Sequence, residues 1–298
     1  VIVTDSKDPA TVPDETALDR AALRDCVRST LTRLSRTGEL PTLPATATAA
    51  LAVARDPEAG VDELCKVIRL DVGLSARILR VGNSPAYARR TPAKTLRDAV
   101  LTIGLRKACD LLVAASARRL FESSRRASDL WGHALATAIA AEELARVTRA
   151  IDPAMAFLPG LFHDVGRIAF MLADPVAHDV IVGLVDEGAG TPSELERGWY
   201  GFDHADAGAI LAEDWGLAPE QCEGIRWHHR PADAEGPGQG LAAVVQAADA
   251  LAYAIGWGSY ATHAPTLDLQ ALGIAPDEAE TFHERVLQAF EQQNELLR

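Results

Sequence analysis

The chain has 298 residues, 48% hydrophobic and 24% charged, a balance that suits a folded globular protein and excludes a disordered one. Its formal net charge of −13 argues against non-specific binding to DNA, RNA or an anionic membrane, because such polyanionic surfaces repel it. Cys26, Cys65, Cys109 and Cys222 are far apart and form no CxxC pair, so they read as reduced thiols of a cytoplasmic protein. No apolar run approaches the roughly 18 residues of a membrane span; the best candidate, residues 240–256, carries Gln246 and Asp249. The first 14 residues are polar and acidic, without a signal-peptide pattern.

Helical spacing recurs from end to end, with few aromatics and few β-branched runs, so the expected fold is all-α. After the polar lead, residues 15–37 carry Leu18, Ala22, Leu23, Val27, Leu31 and Leu34 at three-to-four spacing and predict a first helix. Pro41 and Pro44 break it, and a second helix is expected over 45–54. A turn at 56–60 precedes two short helices, 61–70 and 74–82, and further helices are expected over 94–103 and 107–121. Residues 122–126 are the expected break between two packed halves. The second half opens with Ser128 or Asp129 as a helix N-cap and runs through His133 to Thr148. Residues 276–298 read as a last amphipathic helix carrying Phe282, Val286, Leu287, Phe290 and Leu296.

The second half contains an ordered series of histidines and aspartates: His133, His163-Asp164, His204, His228-His229 and Asp249. Imidazole nitrogens and carboxylate oxygens gathered from several helices form a ligand set that suits Zn, Mn or Fe. A lone histidine on an apolar helix is more often a satisfied core residue, and an Asp in an Ala-rich stretch is more often a solvated face. His163-Asp164 is harder to explain that way, since it follows the apolar run 157–162 and burying both groups unpaired would be costly. As successive residues on a helix the two side chains would lie about 100° apart, so both reach one ion only if the helix turns its edge to the pocket. Asp164 is the group best suited to bridge two cations. Gly160 and Gly166 flank the pair and permit close approach of another helix or a ligand.

Gly160-Leu161-Phe162-His163-Asp164-Val165-Gly166-Arg167 resembles the signature of the HD phosphohydrolase superfamily. Leu40-Pro41-Thr42-Leu43-Pro44, Leu64 to Asp71 and Leu74 to Ser84 in the first half, with Leu130 to His133, Glu196 to Gly208 and Ile225 to Pro231 in the second, are similar to the segments of one branch, the HDOD domain of bacterial signalling proteins. The resemblance covers residues 38–255. It implies a lead and helix over 1–37, an N-terminal helical half over 38–122, an HD-like helical bundle over 123–260 holding the candidate metal site, and a C-terminal extension over 261–298.

From the resemblance follow two functional expectations. One is a cytoplasmic signal-transduction module acting through a signalling protein partner or a phosphorylated nucleotide ligand, with His133, His163, Asp164, His204, His228, His229 and Asp249 holding one or two divalent ions of Fe, Mn or Zn. The other is a metal-dependent phosphodiesterase or phosphohydrolase in which Asp164 and Arg167 are catalytic, Arg167 clamping a phosphate bidentately; its bland alternative is an exposed helix-surface arginine. Two departures argue against cyclic di-GMP hydrolysis. The sister group with that activity has Lys where Arg167 stands, and it carries a Gly-Tyr-Pro element where residues 230–240 of this chain form a Gly-rich stretch without Tyr, expected to be a loop.

Overall fold

The computed structural model describes residues 20–34, 40–87, 91–122, 125–149, 151–259, 267, 269–270 and 272–297. The polar lead, the expected first turn of the first helix with Leu18, and residues 123–124 of the expected break lie outside the described residues. So do the side chains of Arg125, Arg126 and Leu296.

The fold is all-helical, and no strand occurs among the described residues. The first half comprises α1 (Arg20–Leu34), α2 (Ala45–Arg55), α3 (Val61–Ile68), α4 (Val72–Gly82), α5 (Leu96–Ile103) and α6 (Leu105–Ala117). Helix starts follow local chemistry: Asp71 accepts from the Leu74 amide at the head of α4, and Thr95 and Asp98 form a reciprocal capping box at α5. Gly104, at φ 91°, turns the chain sharply from α5 into α6. Residues 108–117 of α6 are buried throughout, so this helix is the centre of the first half, with α2 packed along it.

In the second half are α7 (Arg125–Thr148), α8 (Pro153–Phe162), α9 (Val165–Ala173), α10 (Pro175–Asp186), α11 (Pro192–Tyr200), α12 (His204–Trp215), α13 (Pro219–Arg226), α14 (Pro237–Ala254) and α15 (Pro276–Leu297). Long α7 is its axis, flanked by α8, α14 and α15. One apolar core runs from Val27 of α1 through α6, α7 and α8 to Phe290 of α15, so the halves share buried surface. A smaller cluster joins the far end of α7 to α14 and α15 through Leu144, Leu241, Val245, Leu251, Phe282 and Val286. The terminal helices span the halves: α1 packs on α9 and α12, and α15 on α7, α4 and α6.

Several local expectations are corrected. Helix α7 starts at Arg125, before the expected cap; Ser128 lies inside it and donates to the Phe121 carbonyl at 3.2 Å, because burial of Ala127 extends the helix toward the preceding 3-10 turn. His163 and Asp164 do not share a helix: α8 ends at Phe162, and the pair forms the turn into α9. The Gly-rich stretch 230–240 is a loop only in part, since Pro237 opens α14 with its φ suited to a first helical turn. Leu287 is partly exposed on α15, while Phe282, Val286 and Phe290 are buried. Among the described residues, the stretch long and apolar enough to cross a membrane by composition is Pro153–Ala173, not 240–256; it is interrupted by the His163-Asp164 turn, and 83% of an apolar 18-residue span within it is buried inside the fold.

Candidate metal centre

All seven residues of the His/Asp series meet in one pocket. His133 comes from α7, His163 and Asp164 from the α8–α9 turn, His204 from the head of α12, His228 and His229 from the turn after α13, and Asp249 from α14. Six are buried, and His229 is partly so. Backbone approach makes this possible. A Cβ on Gly166 would collide with the His204 carbonyl oxygen and lie 2.8 Å from the Gly208 nitrogen, so only glycine lets α9 and α12 cross where Asp164 and His204 meet. At Gly160 a Cβ would lie 2.8 Å from the Ala138 Cα, which sets α8 directly against α7.

Four of the five rings are oriented through Nδ1. His133 Nδ1 donates to the Trp257 carbonyl at 2.8 Å, His163 to Gly160 at 2.8 Å and His228 to Ile225 at 2.7 Å, while His204 Nδ1 donates to Glu196 Oε2 at 2.6 Å. Carbonyl and carboxylate oxygens only accept, so the proton sits on Nδ1 and each Nε2 is turned into the pocket. Metal-binding histidines are oriented by partners of this kind.

The inward nitrogens crowd one another. Nε2 of His133 and His163 are 3.1 Å apart, and those of His204 and His229 2.8 Å. His228 Nε2 is buried without a hydrogen-bond partner. Asp164 lies between the groups, Oδ1 at 3.2 Å from His204 Nε2 and 3.7 Å from His163 Nε2, Oδ2 at 3.7 Å from His133 Nε2. Asp249 Oδ1 stands 3.2 Å from His133 Nε2. Two sets of donors result, His133-His163-Asp164 and His204-His228-His229, each with its ligand atoms within 4.8 Å of one another. Converging lone pairs, two carboxylates and an orphaned imidazole nitrogen fit a divalent cation, and borderline N/O ligation suits Zn, Mn or Fe.

Protonation shows the same charge demand. Burial favours the neutral imidazoles, but Asp249 and Asp164 raise His133; at His204, Glu196 and Asp164 outweigh burial and push the ring up to about 9. Burial lowers His163, and burial with His163 and His204 nearby takes His228 down to about 4. Asp164 also resists burial, held well below the usual carboxylate range by His163, Arg167, His204 and His133. Two ionised carboxylates thus draw positive charge into the pocket, which protons supply at His133 and His204 and which a cation would supply in their place.

Arg167 is not on the surface. It is 3% exposed, and its Nη1 donates to Asp164 Oδ2 at 2.7 Å and to Ser259 Oγ at 2.8 Å. Tyr253 and Ser259 share a hydrogen bond at 2.9 Å, which closes this side of the pocket. A cavity of about 100 Å³ beside Arg167, bordered by Asp129, Met171, His178 and Ser259, approaches the centre from outside. Sequence reading missed Glu196, Ser259 and the Trp257 carbonyl. It also missed the frame of α12, where Asp203 takes Ser193 and Arg197, and Asp206 takes Arg197 and Arg226, all at 2.8–3.1 Å. Glu196, Arg197, Asp203 and Asp206 had a signal only as members of the segment 196–208, and Arg226 as a member of 225–231.

Fold and pocket together define an all-helical protein built around a buried histidine–aspartate cluster. The chain belongs to the HDOD domain family, whose model matches residues 40–231. It is similar in structure to an HDOD domain protein of unknown function from Geobacter sulfurreducens, with a TM-score of 0.72 and 24% identity over 94% of this chain and 97% of that one. It is also similar to a protein from Shewanella amazonensis SB2B described provisionally as a phosphohydrolase, with a TM-score of 0.68 and 25% identity over 91% and 97% of the two chains. In sequence, an uncharacterized protein of Treponema pallidum (strain Nichols) is 27% identical over 198 residues, 65% of this chain; the chain spans only 38% of that relative's length.

Proposed function

We propose that this chain is a cytoplasmic signal-transduction module of the HDOD type, with one or two divalent ions held by His133, His163, Asp164, His204, His228, His229 and Asp249. In this reading residues 38–122 and 123–260 act as an N-terminal half and a metal-holding half, and the module passes its state to a protein partner or reads a phosphorylated nucleotide. The observation that carries it is the tethering of four Nδ1 atoms, which leaves their Nε2 atoms facing one another around Asp164. A bound cation would supply Lewis acidity and lower the pKa of water.

Hydrolysis of a small phosphoester is the second reading, favoured by the opening beside Arg167. Arg167 would hold a phosphate oxygen while remaining protonated, which makes it a poor proton donor to a leaving group. The opening, at about 100 Å³, falls well below the roughly 300–1,000 Å³ of pockets for drug-sized ligands. That argues against a cyclic dinucleotide substrate at this opening. The test is metal analysis of protein purified without chelator, followed by assay with bis(p-nitrophenyl) phosphate and cyclic di-GMP. Bound metal with no turnover of cyclic di-GMP supports the module reading; robust metal-dependent turnover, abolished by Asp164→Ala, would replace it with the enzymatic one.

A further inference from the structure

The segments of the first half that sequence analysis singled out contribute nothing to the metal centre, yet they meet in a cavity of their own. It has a volume of about 210 Å³ and lies between the heads of α2 and α4 and the end of α6, lined by Thr46, Asp71, Arg77, Ser116, Arg118 and Arg119. None of its lining residues belongs to the His/Asp series.

Three features distinguish it from an ordinary crevice. Three guanidinium groups face two carboxylates in a chain whose net charge is −13. Of those carboxylates, Asp71 is engaged in capping α4, with Oδ1 accepting from the Leu74 amide at 3.1 Å, and Glu122 is an exposed partner of Arg118 at 3.6 Å. The head of α2 borders the cavity without any side-chain cap, because Pro44 occupies the N-cap position, so its first amides point outward unmatched by a side chain. Ser116 is only 6% exposed, and its hydroxyl has no hydrogen-bond partner. A buried, unsatisfied hydroxyl is costly unless something completes it.

We propose that this cavity is a second ligand site that takes the phosphate of a compact phosphorylated metabolite. Arg77, Arg118 and Arg119 supply the counter-charge and forked donors that match phosphate oxygens. The α2 head supplies amides and the positive end of its dipole, and the Ser116 hydroxyl supplies a donor from the wall. The cavity is smaller than the roughly 300–1,000 Å³ typical for drug-sized ligands, which sets the limit to a compact molecule.

Inorganic phosphate, titrated calorimetrically into the whole protein against potassium chloride of matched ionic strength, is the probe. Saturable binding is expected, falling at least about tenfold in the Arg77→Gln/Arg119→Gln double variant and in Ser116→Ala. In the same titration of Asp164→Asn, in the metal centre, the binding event that the arginine variants weaken should persist, which separates the two sites. Arg119 is exposed, so Arg119→Gln alone decides the matter if the double variant fails to fold, with a measurable weakening expected. Absence of saturable binding, binding unchanged in the arginine variants, or binding lost in Asp164→Asn would each overturn the proposal.

Discussion

Glu196 Oε2 accepts from both the backbone amide and the ring Nδ1 of His204, at 2.8 and 2.6 Å, so one buried carboxylate fixes where α12 begins and which way its first side chain points. The ring's Nε2 is thereby aimed at Asp164 Oδ1, 3.2 Å away. Glu196 has no place among the candidate ligands, yet it orients one of them.

Replacing Glu196 with Ala should therefore weaken metal binding without removing a ligand. Loss of such an orienting partner lowers metal affinity by about 10- to 100-fold. Competition with a chromogenic chelator measures this directly; an affinity equal to that of the parent would mean that His204 needs no orientation.

Gly166→Ala should act through packing. The added methyl meets the His204 carbonyl and the Gly208 nitrogen, both backbone atoms that cannot rotate away, so α9 and α12 must separate. Overpacking of this kind costs about 1–3 kcal/mol, and a clash with backbone belongs at the upper end. Urea unfolding should show a loss of about 3 kcal/mol, with reduced metal content in the folded fraction. A stability loss below about 0.5 kcal/mol, the range of neutral surface changes, would contradict the close crossing.

Away from the metal centre, Asp110 on α6 makes stability depend on pH. Burial pushes its carboxyl up to about 7 from an ordinary 3.8, against the pull of Lys107 and Arg106, and its Oδ1 has no hydrogen-bond partner. Between those values the native state holds a proton that the unfolded chain has lost. The associated stability is complete below pH 3.8 and is lost as pH rises through about 7, a change of about 4 kcal/mol. Asp110→Asn cannot ionise and escapes this loss. Its unfolding free energy relative to the parent should climb by that amount between pH 4 and pH 8; a flat difference across the range would show that Asp110 is not held protonated.

The candidate ligands were legible in the sequence because their chemistry is: histidines and aspartates set in apolar helical surroundings stand out, and their order along the chain matched a known pattern. Helical character was equally plain from spacing. What was hidden depends on contacts between distant segments. The turn at His163-Asp164 lies within one apolar run whose periodicity does not register a change of helix axis. Glu196 sits in the charged stretch Glu194-Leu195-Glu196-Arg197, where nothing local distinguishes a buried carboxylate from a solvated one. Arg167 could be read as a phosphate clamp or as a surface residue, and only the closure of Asp164 and Ser259 around it decides that it is buried. Helix α1 and α15 have ordinary amphipathic patterns, which cannot say that their apolar faces join the two halves.

The central claim is that the His/Asp cluster is a metal site, and elemental analysis of the purified protein tests it most directly. Asp164 faces both donor sets, so Asp164→Ala removes the shared ligand. Protein purified without chelator should carry about one or two divalent ions per chain, and Asp164→Ala close to none. Because an ion bound only by the native state stabilises it by mass action, the variant's melting temperature should fall with its metal content, and chelator should lower that of the parent alone. Asp164→Ala that retains as much metal as the parent would contradict the account.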